Sequence, residues 1–309
     1  MSVPMNKLQE IFRGKLQENV CMANYTTIRA GGLVDGLLPI NTIPDLTTSV
    51  QKLWELDVPF RVIGSGSNFL VSDSGFRGIV LLNHAHNLKI QSKEEPFSVF
   101  AESGVILGTV ARQSALRGLT GMEWATSVPG TVGGAVYGNA GAHCSDINES
   151  LIMATILHPN YGIEDWSPER LGYQYRSSIL KREKINAVIL SALFKVQMST
   201  RDEAWERIVT FSRKRQKTQP QGASFGSTFR NPEGDHAGRL IEAAGLKGYQ
   251  RGNAMISNVH ANFILNEGNA TAADIYYLIS LAKKEVKKQF NVDLVLEIEL
   301  LGDFDDKQD

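Results

Sequence analysis

Two stretches rich in glycine and hydroxyl residues stand out for the chemistry they could support. The first, Ile63-Gly64-Ser65-Gly66-Ser67-Asn68-Phe69, joins one short apolar segment to another. Glycine opens backbone conformations with φ > 0 and lets a ligand come close to main-chain N–H groups. Successive N–H groups in such a turn form a concave anion site, which Ser65, Ser67 and Asn68 extend. A tight β-turn with polar decoration is the plainer reading, and this loop alone does not decide between the two. The second stretch, Pro129-Gly130-Thr131-Val132-Gly133-Gly134-Ala135, runs on to Asn139 and Gly141. Two such loops in one chain suit a ligand with a pyrophosphate and a large flat body, held from both sides. The commoner nucleotide signatures fail. A dinucleotide fingerprint needs a third glycine where Phe69 stands and a helix where the pattern continues as strand. A Walker-type loop needs Gly-Lys-Ser/Thr, and neither stretch contains lysine.

Three further residues have suitable chemistry. Arg176, between Tyr175 and two serines, could clamp a carboxylate in bidentate fashion. Ser227 offers a hydroxyl beside Gly226, and Glu297 a carboxylate near the chain's end. Taken singly, each reads as structural; they form a site only if the fold gathers them. No histidine pair has the helical spacing of metal ligands, so no metal is expected. His260 reads as a hydrogen-bonded structural residue. A nucleophile elbow is excluded because Gly64-Ser65-Gly66-Ser67 is followed by Asn68.

These residues must be positioned by a chain of 309 residues, long enough for two or three domains with their own cores. A formal net charge of -1 gives no electrostatic reason for a nucleic-acid or anionic-membrane partner. Cys21 and Cys144 are the only cysteines, which excludes a disulfide framework and fits a reducing compartment. Residues 1–20 carry both charge signs without the apolar core of a signal peptide. No apolar run approaches a membrane span. A cytoplasmic location follows as the expectation.

The patterning predicts a mixed α+β chain. Met5 to Gln17 reads as an amphipathic helix and Asn24 to Gly32 as a polar strand-like segment. Gly36–Ile40 and Gly78–Leu82 read as strands around a helix from Pro44 to Leu56. From His84 to Met198, short strands alternate with one clear helix, Leu107 to Arg117. A helix begins at Thr200 and ends in the basic run Arg213-Lys214-Arg215-Gln216-Lys217, which reads as a solvated helix end favoured by the dipole. Pro220 to Ser224 reads as a linker. Thr271 with Asp274 forms a capping box, and Leu294 to Leu301 reads as a final alternating strand.

The ordered set Thr26-Thr27-Ile28-Arg29-Ala30-Gly31-Gly32, the two glycine stretches, Asp73, Tyr175-Arg176, Gly226-Ser227 with Phe229, Asn231 and Pro232, Ala237-Gly238 with Leu240-Ile241-Glu242, His260-Ala261-Asn262-Phe263-Ile264 and Leu296-Glu297 resembles the UDP-N-acetylenolpyruvoylglucosamine reductases. The likeness spans about residues 24 to 302. The resemblance implies an FAD-binding domain of the vanillyl-alcohol-oxidase type, in subdomains 1–82 and 83–200, followed by a substrate-binding domain at 201–297. The tail 298–309 is expected to rejoin the first subdomain. It further implies non-covalent FAD, NADPH as co-substrate, and reduction of the enolpyruvyl ether of a UDP-sugar to a lactyl ether in peptidoglycan precursor synthesis. The short interval between Arg176 and Ser227 resembles the family's more compact subtype. Carried over by position, Ile63, Gly64, Ser65, Gly66, Ser67, Asn68, Phe69, Pro129, Gly130, Thr131, Gly133, Gly134, Asn139 and Gly141 would hold FAD. Ser227 would donate a proton, Arg176 and Glu297 would complete the catalytic set, and Tyr175 and Asn231 would touch substrate. The chain departs from the family at Glu299, where an arginine is usual. A monomer is the favoured state. The rival readings are an FAD-dependent oxidase or dehydrogenase of the same fold, and a non-catalytic nucleotide-binding protein.

Overall fold

Apolar residues on both faces of Leu33–Ile40 and Phe76–Asn83 make these the two central strands of a four-stranded sheet, flanked by Gln17–Cys21 and Phe60–Ile63. Gln17–Cys21 pairs antiparallel, whereas Phe76–Asn83 pairs parallel with both Leu33–Ile40 and Phe60–Ile63. Parallel pairing requires crossovers, and the helix Ile43–Glu55 supplies one, capped by Thr42 and burying Leu46, Val50 and Leu53. The computed structural model describes residues 3–304.

A second sheet has five antiparallel strands in the order Gly162–Trp166, Leu151–His158, Val188–Lys195, Ser98–Glu102 and Leu88–Gln91. Its core, with Phe194, Trp124 and Val136 among its members, also takes Ala204 and Ile208 from the long helix Arg201–Thr218. The third unit is a small antiparallel sheet, Gln250–Arg251, Ala254–Ile256 and Ile264–Asn266, packed on the helices Ala237–Ala243 and Ala272–Phe290. Its core also takes Ile28, Ala30 and Leu70 from the first unit. Thr271 and Asp274 form the expected capping box at the start of Ala272–Phe290.

Several elements differ from the sequence expectation. The first helix ends at Ile11, and Gln17–Cys21 is already strand. Asn24 to Gly32 is no strand: a 3-10 turn, Met22–Tyr25, leads into irregular backbone with left-handed Arg29. The second glycine stretch is not loop throughout, because Val132–Gly138 is helical. The last strand keeps only Glu299–Leu301, paired parallel with Phe69–Val71, and the backbone bends at Glu297 and Ile298. Two different partners claim this end of the chain: Arg230 N donates to Val295 O on one side, and Glu299 N donates to Asn68 O on the other. One continuous ladder cannot serve both. Of the expected tail, residues 305–309 lie outside the described residues.

Candidate active site

Where the three units meet lies a cavity of about 1600 Å³. Pockets for a single small ligand run to about 300–1,000 Å³, so this one has room for a dinucleotide and a second molecule. Both glycine stretches line it, as do Arg176, Ser227, Asn231 and Glu297. Residues more than a hundred positions apart in the chain are therefore gathered on one surface.

The two glycine stretches touch. A Cβ built on Gly64 would lie 2.3 Å from Thr131 Oγ1, so no larger residue fits without parting them. At Gly66 the backbone is left-handed, with φ +61, and a Cβ would lie 1.9 Å from the Tyr25 carbonyl oxygen. Thr27 N donates to Gly66 O at 3.1 Å, which ties this loop to the irregular segment before it. The second stretch is held by Gly133 N donating to Ser103 O and Val132 N donating to Val105 O, both 2.8 Å. Gly134 has open space where a side chain would stand, leaving the helix backbone bare towards the cavity. Two bare, fixed main-chain cradles facing one roomy cavity fit a flavin dinucleotide. The orphaned Oε1 of Gln219, buried in the same wall, adds an acceptor without a protein partner among the described residues.

Two of the sequence-named loop residues, Ile63 and Asn139, are buried and do not line the cavity. Ile63 is in the core of the first unit, 2% exposed. Asn139, 3% exposed, ends the helix Val132–Gly138 in left-handed conformation. Its Nδ2 donates to Asp146 Oδ2 at 3.0 Å and to Gln174 O at 3.1 Å, and its Oδ1 accepts from Asn148 N. Gln174 opens the turn that carries Arg176, closed by paired backbone bonds with Ser177. Asn139 thus braces the arginine.

Arg176 has a left-handed backbone, φ 54, which costs a non-glycine residue about 1–3 kcal/mol. That conformation turns its guanidinium into the cavity, where Nε lies 3.2 Å from Glu297 Oε1 and Nη2 donates to Gly141 O. The Tyr175 ring packs beneath it, 5.2 Å away, and is otherwise exposed and outside the cavity wall. Ser227 sits directly before Thr228, whose carbonyl accepts from Glu297 N at 2.9 Å. Asn231 lines the cavity and caps the helix Ala237–Ala243, accepting from Ala237 N. Burial pushes the Glu297 carboxyl above the ordinary glutamate range, opposed by Arg176, Lys181 and Arg230. Burial thus favours the protonated form of this carboxyl while its three cationic neighbours favour the charged one.

Apart from Glu299, named above as a departure from the family, other residues on this surface were missed by sequence reasoning. Lys181 and Glu299 form a pair, 3.4 Å apart, beside Glu297. Tyr137, its phenol pushed up to about 12 by burial and then by Glu299, stays a proton donor at neutral pH. The basic run reads as solvated in the sequence, yet Lys214 and Arg215 line the cavity, and burial pulls Arg215 below its usual value. The available signal was Phe211, one helical turn before Arg215 on the same face. The Phe211 ring stacks on His143 at 4.1 Å. Burial, with Lys214 and Arg215 nearby, lowers the His143 pKa, so its ring stays neutral.

A family model described as an FAD binding domain matches residues 35–160, and one described as UDP-N-acetylenolpyruvoylglucosamine reductase, C-terminal domain, matches residues 217–301. Together with the cradles and the arginine–carboxyl pair, these define an FAD-dependent oxidoreductase. The chain is 38% identical to the UDP-N-acetylenolpyruvoylglucosamine reductase of Bacillus pumilus over 96% of its own length and 98% of that protein. It is 37% identical to the enzyme of that name from Bacillus subtilis, over 98% and 99%. Among solved structures it matches UDP-N-acetylenolpyruvylglucosamine reductase from Thermus caldophilus with a TM-score of 0.77 and 32% identity, covering 92% of this chain and 98% of that one. The chain belongs to the UDP-N-acetylenolpyruvoylglucosamine reductase family.

Proposed function

We propose that this flavoprotein uses NADPH to reduce the enolpyruvyl ether of UDP-N-acetylglucosamine enolpyruvate to UDP-N-acetylmuramate, a cytoplasmic step of peptidoglycan precursor synthesis. The observation carrying this reading is the Arg176–Glu297 pair, 3.2 Å apart on a cavity wall shared with Ser227 and both glycine stretches. The two glycine stretches would hold FAD, which, with NADPH as the source of reducing equivalents, would supply a hydride for the methylene carbon of the enolpyruvyl group. Negative charge then builds on the neighbouring carbon and its carboxylate. Arg176 pairs with that carboxylate, and the protonated Glu297 shares its hydrogen with the same oxygens. Donors held in place before the charge develops commonly supply the greater part of an enzyme's rate enhancement. Ser227 donates the proton that completes the carbon; a hydroxyl suffices because the acceptor is a strong base.

Lys214 and Arg215 supply positive charge for the diphosphate of the sugar nucleotide and Asn231 borders the substrate, while Tyr175, outside the cavity wall, supports the Arg176 guanidinium. Residues 1–82 and 83–200 act as the two halves of the FAD-binding domain and 201–297 as the substrate domain. The hydrophobic clusters follow that division only in part: the helix Arg201–Thr218 gives Ala204 and Ile208 to the second core, and Ile28, Ala30 and Leu70 join the third. The first glycine loop holds no histidine or cysteine for a covalent flavin link. The test is NADPH oxidation by FAD-loaded protein, expected only when the enolpyruvyl UDP-sugar is present. Equal oxidation without it, or with a simple alcohol in its place, would favour an oxidase or dehydrogenase instead.

A further inference from the structure

Five residues beyond Arg176, the short helix Ile179–Arg182 presents Lys181 to the same wall. The helix is fixed at its start by Ser178, fully buried, whose hydroxyl donates to Tyr137 O at 2.6 Å. The Lys181 side chain is 15% exposed. Its Nζ donates to the Glu297 carbonyl at 3.2 Å and lies 3.4 Å from Glu299 Oε1. Asn68 Nδ2, from the first glycine loop, reaches the same carbonyl at 3.3 Å. The contact matters because the chain bends at Glu297 and leaves that carbonyl without a backbone partner among the described residues. Two side chains from separate units do the work of the missing ladder bond.

We propose that Lys181, paired with Glu299, is a positioning residue that fixes the Glu297 backbone against the flavin loop and balances the charge around its carboxyl. This rests on the catalytic reading of Glu297 above. The charged groups facing Glu297 are Arg176 from its turn, Lys181 from the short helix and Arg230 from the segment after Ser227. Glu299, two residues beyond Glu297 at the start of the last strand, neutralises Lys181 and also faces Tyr137 from the helix Val132–Gly138. One short stretch, residues 176–181, therefore contributes one cation to the Glu297 carboxyl and a second to its main chain.

The signs follow from the charges. Losing the lysine in Lys181→Met leaves Glu299 unpaired and makes the Glu297 proton harder to remove. Losing the carboxylate in Glu299→Gln leaves Lys181 uncompensated and makes that proton easier to remove. If the protonated carboxyl is the working form, the rate of flavin reoxidation by the enolpyruvyl UDP-sugar falls as pH rises through the Glu297 titration. That alkaline limb should move to higher pH in Lys181→Met and to lower pH in Glu299→Gln, and return towards wild type in the double variant. Misplacement of Glu297 should add a roughly ten- to hundredfold loss of the reoxidation rate in Lys181→Met, rescued in large part by Lys181→Arg. Flavin reduction by NADPH, followed in the same proteins, should keep its rate. A second readout is the carboxylic-acid carbonyl band in infrared pH titrations of the FAD-loaded protein. This band should be absent in Glu297→Gln and shift midpoint in the same two directions. Rate losses with unmoved limbs and an unmoved band midpoint would reduce Lys181 to a packing role and overturn the proposal. A wild-type protein that fails to reoxidise with the substrate would instead overturn the functional reading beneath it.

Discussion

Ser227 is asked to do one thing, deliver a proton after the hydride has moved, and its removal should therefore separate the two half-reactions. In Ser227→Ala, flavin reduction by NADPH should stay near the wild-type rate. Reoxidation by the enolpyruvyl substrate should fall about a hundred- to ten-thousandfold, as rapid-mixing absorbance would record; equal losses in both halves would assign the serine to cofactor support. Glu297 makes a thermodynamic prediction as well. Its pKa is raised by burial above the ordinary value of 4.5, so the folded protein holds this proton more tightly than the unfolded chain. The stabilisation linked to it is complete below the unfolded value and is lost as pH rises through the folded one. Denaturant titrations across that range should show a shallower decline in Glu297→Gln than in wild type. Arg176 and Asn139 explain each other: a strained arginine turn persists because a buried amide holds Gln174 in place.

The glycine stretches work as elements through their contact with each other. Gly64→Ala would force a methyl group into Thr131. The loops would part, at a cost of about 1–3 kcal/mol for overpacking. Expressed as flavin affinity this is roughly a five- to hundredfold rise in Kd, measurable by fluorescence quenching of added FAD. Gly134→Ala has open space before it and should leave the fold intact, so it reports on ligand approach alone. The last segment shows a different use of an element. It abandons its alternating pattern at Glu297 to satisfy Thr228 on one side and Asn68 on the other. The bend is what places a carboxyl between substrate domain and flavin loop.

For the molecule as a whole, a cavity between three cores makes the cofactor part of the folded assembly. FAD present at a thousandfold its Kd should stabilise the protein by about 4 kcal/mol and raise Tm by several degrees. Acid precipitation should leave the yellow colour in the supernatant, since the first glycine loop offers no residue for a covalent tether. Colour retained on the pellet would contradict that. Among the described residues, no helix is long and apolar enough to cross a membrane.

Composition and local pattern carried the α+β class, the two glycine cradles, the Thr271 capping box and the identities of Arg176, Ser227 and Glu297. Each depends on residue type or on neighbours within a few positions. The resemblance supplied their order and so their shared role. Tertiary structure alone decided that Asn139 braces rather than lines, that Arg215 turns inward, and that Lys181 grips the carbonyl of a residue 116 positions away. It also decided that burial is the first cause of Glu297's raised proton affinity. Burial and opposed charge depend on what the rest of the chain places around a group, and no short window of sequence holds that information.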